Sequence, residues 1–276
     1  MDEPRRLAYL GALGIPVWVP RASGVGCGPR TEAAANERTV RDVHRGGEES
    51  SGVVGVNADL PAAAPCGSAP SASLRTGFRP TPPSDVSTLD WDALRERVAV
   101  CTACELHATR TQTVFGVGDA QADLLIIGEA PGQEEDRRGE PFVGRAGQLL
   151  DAMLHAIGLD RQRVYIANVL KCRPPNNRNP SLEEAAACEG FLRRQIELIG
   201  PKLILSVGAV SARNLLGTEV AVGKLRQVVH RYGAAGIPVL VTYHPAYLLR
   251  QPAEKAKAWE DLQLAAKVLR GLPAHL

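Results

Sequence analysis

Four cysteines are the residues whose type and spacing most clearly indicate chemistry. Cys101 and Cys104 are separated by two residues, and Cys172 and Cys188 follow far downstream. This spacing is too open for a compact zinc finger, but four thiolates can surround one ion or one cluster once the intervening chain folds back. The other two of the six cysteines, Cys27 and Cys66, lie in a different kind of sequence. The total therefore does not indicate three disulfides, and the sequence predicts a centre of iron and sulfide or of zinc.

Three polar residues lie at or just beyond the ends of short apolar runs and are the next candidates for chemistry: Glu129, Asn168 and His244. Four runs predict strands, at residues 124–127, 164–169, 202–207 and 238–242. Helix-like segments precede, separate and follow them, at residues 88–98, 147–157, 181–199, 209–216 and 253–269. This alternation predicts a parallel sheet with helices on both faces, in which ligands bind at the carboxyl ends of the strands.

The chain divides near residue 85 into an extension and a folded domain. Residues 22–85 are rich in Ala, Gly, Pro, Ser and Arg without a sustained apolar period, which predicts a disordered linker. A short helix is predicted at residues 5–14 of the 1–85 extension, and residues 86–276 are the predicted domain. The acidic start and the interrupted apolar stretch exclude a secretory signal, and no run is long enough for a membrane span. We therefore expect a cytoplasmic protein whose clustered thiols bind metal. Its net charge of +2 does not by itself indicate nucleic-acid binding.

Four motifs in this chain resemble those of the family 4 uracil-DNA glycosylases. They are GEAPGQEED at residues 128–136, GEPFVGRAG at 139–147, NVLKCRP at 168–174 and HPAYLLR at 244–250. The resemblance spans about residues 88–270, and several separated motifs in the same order are far more specific than one glycine-rich turn. Residues 22–85 lie outside it.

The resemblance implies a fold, a cofactor and an activity. The implied fold is α/β, a three-layer α/β/α sandwich with a four-stranded parallel sheet. The implied cofactor is a [4Fe–4S] cluster on the four cysteines of the domain, although zinc remains the physical alternative because four thiolates suit both. The implied activity is that of a monofunctional base-excision repair hydrolase that releases uracil from single- or double-stranded DNA and leaves an abasic site. We expect a monomer whose 1–85 extension contacts a replication or repair protein.

Candidate roles follow for the residues of the four motifs. The Glu129 carboxylate can orient water or stabilise positive charge on the sugar, although it could also simply bind backbone amides. The resemblance places His244 beside uracil O2 and Phe142 in a stack on the flipped base. The backbone from Gly128 through Pro131, which includes Ala130, is expected on the other side of the base. The Asn168 amide can pair with uracil N3–H and O4. By the same resemblance, Glu135 crowds the pyrimidine C5 position and excludes thymine.

The DNA-binding candidates are basic and apolar residues near the predicted strand ends. A wedge is predicted at Leu248 and Leu249, which would fill the gap left by the flipped nucleotide. Phosphate contacts are predicted for Arg145, Lys171, Arg173, Arg178 and Arg250. A charged run is usually only a solvated face, so this patch supports DNA binding without establishing it.

At two positions this sequence differs from related enzymes, and each difference excludes a reaction step that those enzymes use. Residues 171–180 contain no histidine, so no covalent trapping of the product is assigned. Ala130 occupies the position at which the best-known uracil glycosylases have a water-activating aspartate. Two alternative functions remain: a metal-stabilised DNA-binding or polymerase-associated module without catalysis, and a glycosylase for another deaminated base such as hypoxanthine.

Overall fold

Four parallel strands form the centre of the sheet in this computed structural model, which describes residues 86–271 and residue 11. They are β2 (Leu124–Gly128), β3 (Tyr165–Asn168), β4 (Leu203–Val207) and β6 (Ile237–Thr242). All four coincide with the apolar runs of the sequence. Each strand is almost wholly buried, as expected where both faces of a parallel sheet are covered. The prediction of these four strands is confirmed.

The sheet as a whole has six strands in the order β1-β3-β2-β4-β6-β5, not the four that the resemblance implies. The additional strands β1 (Val117–Gly118) and β5 (His230–Tyr232) lie at the edges and pair antiparallel with β3 and β6. They were missed because two or three residues are too few to show an alternating pattern.

Eight α-helices lie in the described part of the chain, and five of them match the predicted helical segments. The matching helices are α1 (Trp91–Ala99), α3 (Arg145–Ala156), α4 (Leu182–Ile199), α5 (Ala209–Leu216) and α8 (Lys255–Leu269). Ser181 and Glu184 form a capping box at the start of α4. The three shorter helices are α2 (Gln133–Arg138), α6 (Val222–Leu225) and α7 (Pro245–Arg250).

Alternate residues of the strands belong to separate hydrophobic cores. On β2, Leu125 and Ile127 share a core with α1 and α4, whereas Leu124 and Ile126 share another with α3 and α8. Because successive side chains of a strand point to opposite faces, this division places helices on both sides of the sheet. The three-layer arrangement is therefore present.

The backbone brings the carboxyl ends of the central strands into register. Gly128 pairs with Asn168 at the ends of β2 and β3, and α7 begins directly after His244, two residues beyond β6. The loops that carry the predicted polar residues consequently lie together at the carboxyl ends of the central strands. The predicted linker and the short helix at residues 5–14 lie outside the described residues, apart from Gly11. Among the described residues, no helix is long and apolar enough to cross a membrane.

Candidate active site

A cavity of about 480 Å³ lies at the carboxyl ends of the central strands. It brings together seven of the residues that the sequence analysis selected: Glu129, Ala130, Glu135, Phe142, Asn168, His244 and Arg250. Its other lining residues are Gly132, Ala146, Asn177, Asn179, Ala246 and Tyr247. Of these, Asn177 and Asn179 carry amides whose loop has no periodic pattern that could have selected them. Another cavity of the same volume lies at the opposite end of the strands, near the start of β2 and close to Asp119 and Arg270. It includes none of the candidate residues.

Asn168 is the most buried polar residue of this cavity, with 2% of its surface exposed. Its side-chain oxygen Oδ1 is buried without a hydrogen-bond partner within residues 86–271. An unpaired buried acceptor costs about 1–3 kcal/mol, so a ligand N–H that reached it would recover that cost. Gly128 packs directly against Asn168, since a Cβ added to Gly128 would lie 2.4 Å from Oδ1 and 2.7 Å from the Phe142 ring. The absence of a side chain at Gly128 therefore lets both residues approach the end of β2.

His244 is held as a neutral imidazole. Burial, followed by the nearby charge of Arg250, lowers its pKa to about 4. The ring nitrogen Nδ1 accepts the backbone N–H of Ala246 at 3.1 Å and so caps α7. Because Nδ1 is the acceptor, the proton of the neutral ring lies on Nε2. Its ring stacks on Phe142 with the two centroids 5.5 Å apart. His244 therefore offers the cavity an uncharged N–H donor.

Glu129 follows β2 directly, and its half-buried carboxyl lines the cavity. Burial raises the pKa of this carboxyl above its usual range. Its backbone oxygen accepts the N–H of Leu170 at 3.1 Å, which extends the pairing between the β2 and β3 segments beyond the strands. The main chain of Glu129 is thereby fixed beside Asn168. A partly desolvated carboxylate in this place can act on charge or on water far more strongly than one in bulk solvent.

Glu135 lines the cavity and also organises the loop that carries Phe142. Its Oε1 accepts the backbone N–H groups of Val143 at 3.0 Å and Gly144 at 3.1 Å. Gly144 is the N-cap of α3, so the carboxylate satisfies a donor at that helix start. Gly132 permits the close packing, because a Cβ there would lie 2.6 Å from Glu135 Oε2. Exclusion of thymine by Glu135 stays a prediction.

Two of the predicted DNA contacts are corrected by burial. Lys171 is 1% exposed, and its Nζ donates to the backbone oxygen of Asn168 at 2.9 Å. Burial lowers the pKa of Lys171 to about 8. Leu248 is also 1% exposed and packs in the core beside α3 and α8. Neither side chain can reach DNA in this conformation, whereas Leu249 is exposed and remains the candidate for a wedge.

The four arginines predicted to contact phosphates are exposed or half-buried. Arg145 is at the start of α3, and Arg250 lies at the end of α7 beside the cavity. Arg173 donates to Asn177 Oδ1 at 2.7 Å. Arg178 is already paired with Glu184 through two contacts of 2.8 and 2.6 Å. Arg145 and Arg250 are therefore the better placed of the four to contact a phosphate.

The four cysteines of the domain line one small cavity between α1, α4 and the loop after β3. Three of their sulfur atoms accept N–H groups: Cys172 from Arg110 Nη1 at 3.0 Å, Cys188 from the Lys171 amide at 3.4 Å and Cys101 from the Ala103 amide at 3.5 Å. Burial raises the pKa of Cys104, of Cys172 and, to about 12, of Cys188. Thiols in such a place become thiolates only when positive charge compensates them, as it does in a metal centre. All four are free thiols, and no group of three or more His, Cys, Asp or Glu side chains within residues 86–271 is arranged to hold a single metal ion.

Comparisons with known proteins agree with the geometry. Residues 115–263 match the model of the uracil DNA glycosylase superfamily. A type-4 uracil-DNA glycosylase of Thermotoga maritima is 44% identical over 183 residues, which cover 65% of this chain and 94% of that protein. Proteins of the same description from Archaeoglobus fulgidus and Pyrobaculum aerophilum are 47% and 41% identical, over 62% and 64% of this chain and 89% and 93% of their own lengths.

Proposed function

The chain belongs to the uracil-DNA glycosylase superfamily, among its type-4 members, and from this premise we propose how its cavity releases uracil from DNA. The enzyme is a hydrolase of DNA repair that excises uracil. The observation that carries the proposed mechanism is the buried Oδ1 of Asn168, which has no hydrogen-bond partner among residues 86–271. It lies in the same cavity as the neutral donor His244, the aromatic Phe142 and the half-buried Glu129. A cavity for binding alone does not require this combination of groups.

We propose that Asn168 identifies the base once it is flipped out of the DNA. Its Oδ1 accepts uracil N3–H, and its Nδ2 donates to O4, a pattern that cytosine reverses. Lys171 supports this arrangement because it holds the backbone oxygen of Asn168 from the interior. Phe142 stacks on the base, with the backbone from Gly128 through Pro131 on the other face of the base. Stacking supplies affinity that depends little on which base is present.

The proposed cleavage depends on residues that stabilise the charge that develops as the bond breaks. As the N-glycosidic bond breaks, negative charge accumulates on uracil and positive charge on the deoxyribose. His244 Nε2–H stabilises the uracil anion at O2, and a neutral ring does so without giving up its proton. The Glu129 carboxylate stabilises the sugar cation and orients the water that attacks C1′. As the new C1′–O bond forms, that water gives up a proton, which the uracil anion takes up at the ring nitrogen freed by the cleavage, so that neutral uracil leaves. Because Ala130 has no acid or base, Glu129 is the group proposed to orient that water. Within residues 86–271, no lysine lines the cavity, which supports a monofunctional enzyme over one with a lyase step.

We propose that the four cysteines hold a [4Fe–4S] cluster. Their shared cavity, their partial or full burial and the N–H groups directed at three of the sulfur atoms support a four-thiolate centre. Four thiolates suit zinc as well as a cluster, and the resemblance to the family 4 enzymes is what favours the cluster. The cluster would serve to join α1, the loop after β3 and α4, since hydrolysis involves no electron transfer.

Other proposals concern the setting of the enzyme. The four free thiols support a reducing compartment such as the cytoplasm. We propose that the enzyme acts as a monomer on single- or double-stranded DNA, since the extruded base would contact residues of one chain only. A contact of residues 1–85 with a replication or repair protein is also proposed, and this segment lies outside the described residues apart from Gly11.

Oligonucleotides that carry uracil, hypoxanthine or no lesion test the proposed reaction. Incubation with the protein and then with alkali converts each abasic site into a strand break. We expect cleavage of the uracil strand only. Cleavage of the hypoxanthine strand at a similar rate would assign a different lesion, and binding without cleavage would indicate a DNA-binding module.

A further inference from the structure

The loop that carries Phe142 is held in an unfavourable backbone conformation. Phe142 has a φ of 54°, in the left-handed region that residues with a side chain rarely adopt. The residue is 6% exposed, and its ring stacks on His244 at the cavity wall. A strained conformation persists only where the surroundings determine it from several sides. The position of the stacking ring therefore depends on contacts behind the loop.

Arg161 supplies those contacts from outside the cavity. Its guanidinium donates to two consecutive carbonyl oxygens of the loop, that of Pro141 at 2.6 Å and that of Phe142 at 3.1 Å. The same guanidinium pairs with Asp151 of α3 at 3.0 Å. One planar group thus joins the strained residue to the helix that follows its loop, as only a fork of rigid donors can do.

Two further contacts show that the loop is fixed from more than one direction. Glu135 accepts the N–H groups of Val143 and Gly144, the residues next along the chain. Gly147 lets the first turn of α3 approach the loop, because a Cβ there would lie 1.7 Å from the Phe142 oxygen. Arg161 is the charged group that binds the Phe142 oxygen itself, and it does not line the cavity.

We propose that Arg161, anchored by Asp151, is a positioning residue that holds Phe142 in the geometry for stacking on the extruded base. This inference rests on the proposed function, because it assigns Arg161 a role through Phe142. The alternatives are a direct contact with a DNA phosphate and a general contribution to folding. The proposed positioning role can be separated from both alternatives, because it alone makes the effect of Arg161 depend on the Phe142 ring.

A double-mutant cycle tests the dependence. Arg161→Gln should slow single-turnover uracil excision by about 10- to 100-fold, as expected when a substrate-positioning group moves by up to an ångström. In the Phe142→Ala background, the same substitution should change the rate by less than about twofold, because the ring that Arg161 positions is absent; independent contributions would instead give the full loss in both backgrounds. Arg163→Gln is the matched control, since Arg163 is an exposed arginine that makes one 3.4 Å contact with the Gly158 oxygen. It should leave the rate unchanged.

Two further variants keep the test decisive. Arg161→Lys retains the positive charge but not the fork, so it should be nearly as slow as Arg161→Gln; full recovery would instead indicate a phosphate contact. Asp151→Asn leaves the arginine in place without its partner and should show a smaller loss with the same dependence on Phe142, even if Arg161→Gln folds poorly. Equal losses with and without the Phe142 ring would overturn the inference while excision by the wild type left the proposed function standing. An inactive wild type would refute the proposed function itself.

Discussion

Substitution of His244 tests whether this residue acts as a neutral hydrogen-bond donor. His244→Ala removes both the Nε2–H donor and the Nδ1 atom that caps α7, whereas His244→Asn keeps a short side chain that can still accept the cap N–H. Loss of one donor to a developing anion typically costs about 10²- to 10³-fold in rate. We expect both variants to lose about that much in single-turnover excision, with nearly unchanged DNA binding. The alanine variant alone should lose about 1 kcal/mol of helix stability.

The pH dependence follows from the directions of two pKa values. With a pKa of about 4, only about 1% of His244 is charged at pH 6, compared with about three quarters of a histidine at the ordinary value. Protonation of His244 should therefore cause no loss of rate as the pH falls through 6.5. The carboxyl of Glu129 has a raised pKa, and protonation removes its charge, so the rate should fall at acidic pH as Glu129 is neutralised. Glu129→Gln should be slow and should lack that acidic decline.

Nuclear magnetic resonance of the nitrogen-labelled histidine gives the direct measurement. We expect the His244 ring to remain neutral above about pH 5, with its proton on Nε2. A ring that titrates near 6.5, or that carries its proton on Nδ1, would refute the reasoning. So would an excision rate that rises tenfold with each unit of decreasing pH, because the charged imidazole would then be the active form.

Three other predictions concern base recognition, the cluster and the extension. Asn168→Ala should lose about 1–3 kcal/mol of uracil recognition, and Asn168→Asp should weaken the preference for uracil over cytosine; unchanged selectivity in single-turnover assays would mean that another residue reads the base. Phe142→Ala should lose about 1–3 kcal/mol for any flipped base. The purified protein should contain iron and acid-labile sulfide, and stoichiometric zinc without iron would contradict this. Cys27→Ser and Cys66→Ser should retain the absorbance of the cluster. Serine should bleach and destabilise the protein at each of the proposed ligands Cys101, Cys104, Cys172 and Cys188. Deletion of residues 1–85 should leave a folded protein with most of its excision activity, and a folded but inactive product would place the extension in the site.

The central strands and the site at their ends could be predicted from the sequence for a physical reason. A strand covered on both faces needs an unbroken apolar run, and the polar residue that follows such a run marks its carboxyl end. Glu129, Asn168 and His244 were selected in this way and line one cavity. The edge strands were missed because they are too short to carry a pattern.

The remaining errors concern the direction of single side chains. Lys171 lies only three residues beyond Asn168, and nothing in the local pattern shows that its chain turns inward between two cysteines. Leu248 and Leu249 are adjacent in a six-residue helix, so the choice of the buried one depends on a rotation that tertiary packing sets. Arg161 and Phe142 are 19 residues apart in the sequence, and both lie in irregular segments. Their contact therefore leaves no periodic pattern from which it could be predicted.

Detection of the free base released from DNA tests the central claim most directly. Wild-type protein in excess is mixed with equal amounts of strands that contain uracil, hypoxanthine, thymine or cytosine, and the released bases are identified by mass spectrometry. His244→Asn serves as the comparison that binds DNA without fast excision. We predict uracil as the released base, in amounts equal to the abasic sites formed, and very slow release by the variant. DNA binding without release of any base, or release of hypoxanthine as fast as uracil, would contradict the account.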